Sequence, residues 1–168
     1  MELWQLEARE AIRDLVARYN ANGDSGRFAD VVALFAPDAV MITGDGTKRG
    51  PEEILTIFTG ARDRFARGGR PAASPPAEPT ASSPPPPAPP PPKVVRHFTA
   101  THQIDLVDRT TAKGRCYFQV LTTAGLDHWG RYVDEYRVVE GAWLFAKRTV
   151  TIDGRSPVSV LGPAREGS

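Results

Sequence analysis

The segment HWGRYVDEYRVVEGAWLFAKRTVTI, residues 128–152, carries the strongest structural signal in the chain. Residues with β-branched and aromatic side chains are frequent on both sides of Glu140-Gly141, which is typical of two antiparallel strands joined by a hairpin turn. Two more runs of the same character precede this hairpin, at residues 94–107 and 111–123. The second half of the chain therefore predicts a meander of long antiparallel strands.

The first half of the chain predicts helices. Apolar residues recur at spacings of three and four along residues 12–19 and 28–35, with a glycine-containing break between the two runs. Residues 39–43 then indicate a short apolar strand, and a third helix begins at Gly50 with proline and acidic residues in its first turn. Three helices and a strand meander predict an α+β domain whose helices pack on one face of the sheet.

Residues 68–93 have a different composition, with two runs of four prolines and no aromatic residue. They predict polyproline II or disorder, and because periodic sequence resumes after them we interpret them as a flexible insertion inside one domain, residues 1–154. A solvated spacer and a docking segment for a partner are the two roles open to these prolines. Residues 155–168 show no periodicity and predict an irregular tail that hangs free or lies over a neighbour.

Composition and charge argue against several classes of function. With 21 basic and 20 acidic residues the formal net charge is +1, so we expect no nucleic-acid partner and no anionic membrane partner. No apolar run approaches the length of a membrane span and the N-terminus is acidic rather than signal-like, so we expect a cytoplasmic protein. One cysteine and three scattered histidines predict no metal site, and the lack of a glycine-rich phosphate loop predicts no cofactor.

Three segments, at residues 12–40, 95–99 and 130–143, carry a family resemblance. They resemble SnoaL-like proteins of the nuclear transport factor 2-like superfamily in the opening helices, in an Arg-His strand and in a late hairpin. The resemblance implies a cone-shaped, curled antiparallel sheet with three N-terminal helices enclosing a pocket, a cystatin-like α+β barrel. It also implies a small apolar molecule in the pocket and a homodimer or homotrimer formed on the outer face of the sheet.

Asp24 and His97 lie where dehydratases of this family place a pocket aspartate and a pocket histidine. Such a pair suits acid–base chemistry, because the carboxylate fixes the tautomer of the imidazole, which can then move a proton near neutral pH. A turn or helix-cap role for Asp24 and a hydrogen-bonded strand role for His97 are the structural alternatives. The resemblance further implies a second pocket histidine on the strand after His97, where this chain has Arg115, Tyr117 and Gln119.

Two other candidates come from the first strand of the meander and the first helix. His102 faces away from His97 if the strand between them is regular. Tyr19 matches the oxyanion-hole tyrosine of the isomerases of the superfamily, but the position of their base carboxylate falls on Thr43. The isomerase mechanism is therefore disfavoured, and an aromatic wall is the alternative role for Tyr19.

The hairpin supplies further polar groups, because Tyr132, Asp134 and Tyr136 share one strand face and can either line the pocket or form structural cross-strand pairs. We expect a cofactor-free proton-transfer enzyme, a dehydratase, isomerase or cyclase, acting on a small apolar or polycyclic molecule. The alternative is a non-catalytic ligand-binding or assembly module with the same fold. The expected catalytic residues are Asp24 and His97, and the residues expected to touch the substrate are Tyr19, Tyr117, Tyr132 and Asp134.

Overall fold

The computed structural model describes residues 1–66 and 94–162, so the proline-rich insertion expected at residues 68–93 lies outside the described residues. The described parts contain three helices and one six-stranded sheet, and none of these helices is long and apolar enough to cross a membrane. The helices are α1 (Leu3–Asp24), α2 (Phe28–Val32) and α3 (Gly50–Ala66). The strands are β1 (Phe35–Thr43), β2 (Gly46–Arg49), β3 (Val95–Leu106), β4 (Thr111–Thr122), β5 (Gly125–Val139) and β6 (Ala142–Arg155).

The apolar face of α1 has the spacing that the sequence predicts. Ile12, Leu15 and Val16 are buried, and burial of one such aliphatic side chain contributes about 1.5–3 kcal/mol. The helix ends at Asp24, and Gly26 then turns the chain with a φ of 71°, a conformation that glycine adopts without strain. The position of Asp24 is thus fixed by a long, well-packed helix.

The strands form one sheet in the order β2-β1-β6-β5-β4-β3. The strands from β3 to β6 form the antiparallel meander that the sequence predicts. β1 pairs parallel with β6, so the expectation of a purely antiparallel sheet is wrong at this pair. The reason lies in the strand order, because β2 and β3 form opposite edges of the sheet. The meander begins at the edge strand β3 and proceeds inward, so its last strand, β6, lies next to β1. The α+β class and the curled sheet are confirmed, and the sheet stays open between its two edges.

The region between α1 and α3 differs in detail from the prediction. The second helix, expected over residues 28–35, ends at Val32, and Phe35 already belongs to β1. The cause is the neighbouring strand, because the backbone N–H of Phe145 donates to Leu34 O at 2.9 Å and Phe35 pairs with Phe145. The short strand β2 was not predicted, since only the turn before it has a clear sequence signal.

The described residues after β6, 156–162, form no helix or strand, as the sequence predicts, but they pack against the sheet rather than hang free. Arg155 still belongs to β6. Ser159 and Val160 are buried, and both donate hydrogen bonds to Asp127 at the start of β5. The tail therefore covers one end of the sheet as far as the described residues reach.

Candidate active site

Asp24 and His97 are joined by two hydrogen bonds. Asp24 Oδ1 lies 2.5 Å from His97 Nδ1, and Asp24 Oδ2 accepts the backbone N–H of His97 at 2.8 Å. The Asp24 side chain is 8% exposed and the His97 side chain 25% exposed, so water screens the interaction only partly. The carboxylate favours a proton on Nδ1, which leaves Nε2 as the nitrogen that can accept a proton.

Local structure explains why the Asp24 carboxylate can reach β3. The turn after α1 is closed by the backbone N–H groups of Ser25 and Gly26, which donate to carbonyl groups of the last helical turn. The turn therefore does not need the Asp24 side chain. The carboxylate bonds to His97 instead of capping its own turn, which argues against the structural alternative for Asp24.

A second aspartate–histidine pair lies at the start of β5. His128 Nδ1 is 2.7 Å from Asp127 Oδ2, and the two side chains are 8% and 3% exposed. Asp127 also accepts hydrogen bonds from Ser159 Oγ at 2.7 Å and from the backbone N–H of Val160 at 2.9 Å. Burial raises the pKa of Asp127, but these hydrogen bonds outweigh burial and hold the pKa below its ordinary value. Asp127 is therefore an anion fixed by three donors.

A β-bulge lets Asp127 and His128 point in different directions. In the pairing of β4 with β5 the register shifts, so that Val120 lies opposite His128 while Leu121 lies opposite Leu126. Asp127 is the extra residue, and it turns toward the C-terminal residues while His128 stays on the inner face. Sequence reasoning missed this pair, because an Asp-His dipeptide before a strand carries no periodic signal.

His97 and His128 lie on one row of the sheet, two strands apart. In the strand register His97 is opposite Val120, and Val120 is opposite His128. The ring centroids of the two imidazoles lie 6.5 Å apart, on either side of the small side chain of Val120, and the angle between the ring planes is 82°. Phe118 lies 6.3 Å from the His97 ring and 6.1 Å from the His128 ring. Two imidazoles and one phenyl ring therefore border the same part of the inner face.

A second bulge places His102 on the inner face as well. The pairing of β3 with β4 shifts between Ala100 and Gln103, and Thr101 within this step has a φ of 55°. The expectation that His102 faces away assumed a regular strand and is wrong, because His102 Nε2 lies 3.3 Å from Tyr136 Oη. Burial lowers the pKa of His102, so this imidazole is neutral near pH 7.

Asp134 is engaged in a buried ion pair. Its two carboxylate oxygens accept hydrogen bonds from Arg148 Nε at 2.9 Å and Arg148 Nη2 at 2.8 Å, and both side chains are fully buried. Tyr136 donates a third hydrogen bond to Asp134 Oδ2 at 2.9 Å. Tyr132, Asp134 and Tyr136 share one buried face of β5. The oxygens of Asp134 are thus held by protein groups, which argues against the expected contact of Asp134 with a substrate.

Tyr19 and Tyr132 form an aromatic wall around the guanidinium of Arg148. Arg148 Cζ lies 4.1 Å from the centroid of each ring, and the two rings are 6.0 Å apart. Tyr132 also stacks on Phe118 at 4.5 Å with an interplanar angle of 14°, so the wall continues to the two imidazoles. Burial raises the pKa of both tyrosines, so their hydroxyls stay protonated. Arg148 Nη1 is buried and has no hydrogen-bond partner among the described residues.

Tyr117 does not join this interior. Alternation along β4 buries Cys116 and Phe118 and turns Tyr117 outward, where 59% of it is exposed. On the outer face Tyr117 lines a cavity of about 340 Å³ together with Phe98 and Trp129. The prediction that Tyr117 touches a substrate in the interior is wrong, because the inward-facing positions of β4 on either side of it are those of Cys116 and Phe118.

Metal-ligating groups do not converge in the described parts of the chain. Within residues 1–66 and 94–162, no three histidine, cysteine or acidic side chains lie together in a way that could hold an ion. His97 and His128 instead bond to carboxylates, and His102 bonds to a hydroxyl. Burial raises the pKa of Cys116 to about 11, so its thiol is protonated at neutral pH.

Comparisons with known proteins agree with this fold. One similar solved structure is a protein of unknown function with a cystatin-like fold from Nostoc punctiforme, 21% identical, with a TM-score of 0.66 over 86% of this chain and 90% of that chain. Another is a candidate scytalone dehydratase from Novosphingobium aromaticivorans, 18% identical, with a TM-score of 0.69 over 93% of this chain and 91% of that chain. A third is the hexachlorocyclohexane dehydrochlorinase LinA-type3 from Novosphingobium barchaimii, 18% identical, with a TM-score of 0.68 over 93% of each chain.

No curated protein matches the chain in sequence. The family model of the SnoaL-like domain matches residues 4–149, which include α2, α3, all but the first residue of α1 and most of the sheet. The chain therefore belongs to the SnoaL-like domain family.

Proposed function

We propose that the protein is a cofactor-free lyase that removes a proton and a leaving group from a small apolar or polycyclic molecule. His97 is the general base, and Asp24 orients it. The observation that carries the proposal is the double contact of the Asp24 carboxylate with Nδ1 and with the backbone N–H of His97. This contact fixes the orientation and the tautomer of the ring, and among the described residues nothing is hydrogen-bonded to Nε2.

Removal of a proton from carbon begins the reaction. The electron pair of the C–H bond forms the new double bond, the leaving group departs with its own bonding pair, and the proton stays on His97 Nε2. The Asp24 carboxylate stabilises the imidazolium that results, and water then accepts the proton. A positioned general base of this kind contributes about 10²–10⁴-fold to the rate.

The surroundings of His97 support an apolar substrate. Phe118 and Tyr132 stack into a flat aromatic surface next to the imidazole. Tyr19 and Tyr132, whose hydroxyls stay protonated, extend this apolar surface into the buried aromatic wall. Two of the similar structures are named for eliminations, a dehydratase and a dehydrochlorinase, which agrees with this chemistry.

Isomerisation and cyclisation can start with the same proton removal, but elimination fits the side chains better. The position expected for a carboxylate base in the isomerases is Thr43, whose Oγ1 accepts the backbone N–H of Asp45 at 3.2 Å at the end of β1. A threonine hydroxyl is not a base near neutral pH. Elimination needs only the one base that Asp24 orients.

The test is turnover by the purified protein of scytalone, which can lose water, and of hexachlorocyclohexane, which can lose hydrogen chloride, followed by chromatography with mass detection. His97→Asn keeps a side-chain donor for Asp24 but lacks Nε2, so we expect kcat/KM to fall by about 10²-fold or more. Asp105→Asn changes an exposed carboxylate on the same strand and serves as the matched control, with no expected change. Saturable binding of either molecule without turnover would contradict the enzyme and favour the non-catalytic binding module.

A further inference from the structure

Asn20 is a buried amide that the proton removal described above does not use. We propose that Asn20 is a substrate-binding residue whose Oδ1 accepts a hydrogen bond from a hydroxyl or N–H group of the substrate, a group separate from the one that leaves. The inference rests on the proposed function, because it names a recognition contact for the molecule that His97 deprotonates.

The burial of Asn20 calls for a hydrogen-bond partner that the chain does not supply. Asn20 is 7% exposed, yet its Oδ1 has no partner in the parts of the chain that the structure describes. Buried polar atoms are nearly always paired, and an unpaired one lowers stability because it has lost its hydration. Asparagine is also a poorer helix former than leucine, and Asn20 lies within α1. A leucine would suit both the burial and the helix better, so a bound ligand explains the amide.

Asn20 lies on the side of α1 that follows the edge strand β3. Arg9, early in the helix, donates a hydrogen bond to Ile104 O, and Asp24, at its end, accepts the backbone N–H of His97 at 2.8 Å. The helix and the strand therefore run side by side in opposite directions. Asn20 precedes Asp24 by four residues, so the two side chains share a helix face and are about 6 Å apart along the axis.

The stretch of β3 beside Asn20 is accessible to a ligand. A strand rises about 3.3 Å per residue, so Asn20 is about level with Thr99, two residues beyond His97. Thr99 is exposed, and the bulge between Ala100 and Gln103 follows it. Side chains of α1 thus bond to β3 on both sides of this stretch, while Asn20 Oδ1 between them bonds to neither strand nor helix within the described residues.

The spacing of Asn20 and Asp24 defines the kind of substrate. Asp24 holds the base His97, and both of its carboxylate oxygens are occupied by that residue, so Asp24 is not the acceptor for a substrate donor. Asn20 lies one helical turn away, about 5.4 Å, which is comparable to the width of one six-membered ring with its substituent. The amide is neutral and does not compete with His97 for a proton. We therefore infer a cyclic substrate whose donor lies across the ring from the reacting C–H group.

The test compares 6-hydroxy-1,2-benzisoxazole with 6-methoxy-1,2-benzisoxazole at pH 7. A base takes the ring C–H proton of either probe, the C–H pair completes a nitrile, and the N–O pair goes to the oxygen of the phenoxide that is released. The two substituents have similar electronic effects and lie across the ring from the reacting carbon, but only the hydroxyl donates a hydrogen bond. We expect the unaltered protein to favour the hydroxy probe in kcat/KM by about tenfold more than imidazole in water does.

Two variants assign this preference to Asn20. Asn20→Leu keeps the shape of the side chain, and we expect it to remove the preference. It should also unfold at no lower urea concentration than the unaltered protein, because no hydrogen bond within the chain is lost. Asn22→Leu is the matched control, since Asn22 Oδ1 already accepts Arg27 Nε at 3.0 Å, and its preference should match that of the unaltered protein.

The remaining outcomes each overturn a defined claim. A preference no larger than that of imidazole, or one that persists in Asn20→Leu, overturns the inference, while a loss of activity in His97→Asn keeps the proposed function. A preference for the methoxy probe that depends on Asn20 overturns it as well, because the amide would then donate rather than accept. Reduced stability or loss of folding in Asn20→Leu would show that the amide bonds within the protein, which also overturns the inference. No turnover of either probe by the unaltered protein overturns both claims.

Discussion

Asp24, the last residue of α1, and His97, on β3, are linked through both carboxylate oxygens, one to the ring Nδ1 and one to the backbone N–H. The bond to the backbone fixes the edge strand β3 to the helix, and the bond to the ring fixes the imidazole. One carboxylate therefore holds both the strand and the ring, and two substitutions separate its structural role from the chemical role proposed above.

Asp24→Asn keeps an oxygen for the backbone N–H of His97 but removes the charge beside Nδ1. We expect its unfolding free energy to fall by no more than about 1 kcal/mol, because the amide can keep both hydrogen bonds and only the assistance of the charge is lost. We expect its kcat/KM to fall by about 10²-fold on 5-nitrobenzisoxazole, a probe whose ring a base opens by removing one C–H proton while the N–O bond breaks. Asp24→Ala leaves the N–H unpaired and should cost about 1–3 kcal/mol in urea unfolding. Equal stability of the two variants would contradict the structural role.

The buried pair Asp134–Arg148 predicts a strong non-additive effect on stability. Asp134→Asn leaves the fully buried guanidinium without its counter-charge, and we expect a loss of about 3–5 kcal/mol in urea unfolding. The double variant Asp134→Leu with Arg148→Met removes both charges and should regain most of that loss. The exposed pair of Glu135 and Lys147 lies on the same two strands, so Glu135→Gln is the matched control, with less than about 1 kcal/mol expected. A double variant that is less stable than Asp134→Asn would contradict this account.

Much of the fold could be predicted from the sequence, because long strands and an amphipathic helix each have a clear period. The meander β3–β6 and the buried face of α1 follow from that period, and the resemblance pointed to the pair Asp24 and His97. The bulges at Thr101 and Asp127 could not be predicted, since a period assumes regular strands and a bulge reverses which residues face inward. For this reason the inward positions of His102 and His128 came only from the structure.

The residues after β6 are held through Asp127, and this attachment depends on pH. Burial raises the pKa of Asp127, but its hydrogen bonds lower it further, so the folded pKa lies below the unfolded value of about 3.9. The ionised carboxylate therefore stabilises the fold above that value, and the contribution is lost as the pH falls through the folded pKa. We expect Asp127→Asn to be less stable than the unaltered protein at pH 7, with a smaller difference at pH 3. Urea unfolding at both pH values measures this, and a difference independent of pH would contradict it.

The outer face of the sheet predicts self-association, and we propose a homodimer or homotrimer formed through it. Phe98, Tyr117, Trp129 and Val133 are exposed on this face, an apolar patch that a second copy of the chain would cover. Light scattering at micromolar concentration should give two or three times the mass of one chain, and Tyr117→Lys should shift the mass toward the monomer without loss of circular dichroism. A monomer in the unaltered protein would contradict the proposal.

Whether Asp24 and His97 remove the proton as a unit is decided by a double-mutant cycle. The quantity is kcat/KM for 5-nitrobenzisoxazole in the unaltered protein, in Asp24→Asn, in His97→Asn and in the double variant. Residues that act together are not additive, so the double variant should lose no more than His97→Asn alone, about 10²-fold or more. Losses that multiply, or a His97→Asn variant as active as the unaltered protein, would show that the two residues do not form a catalytic pair.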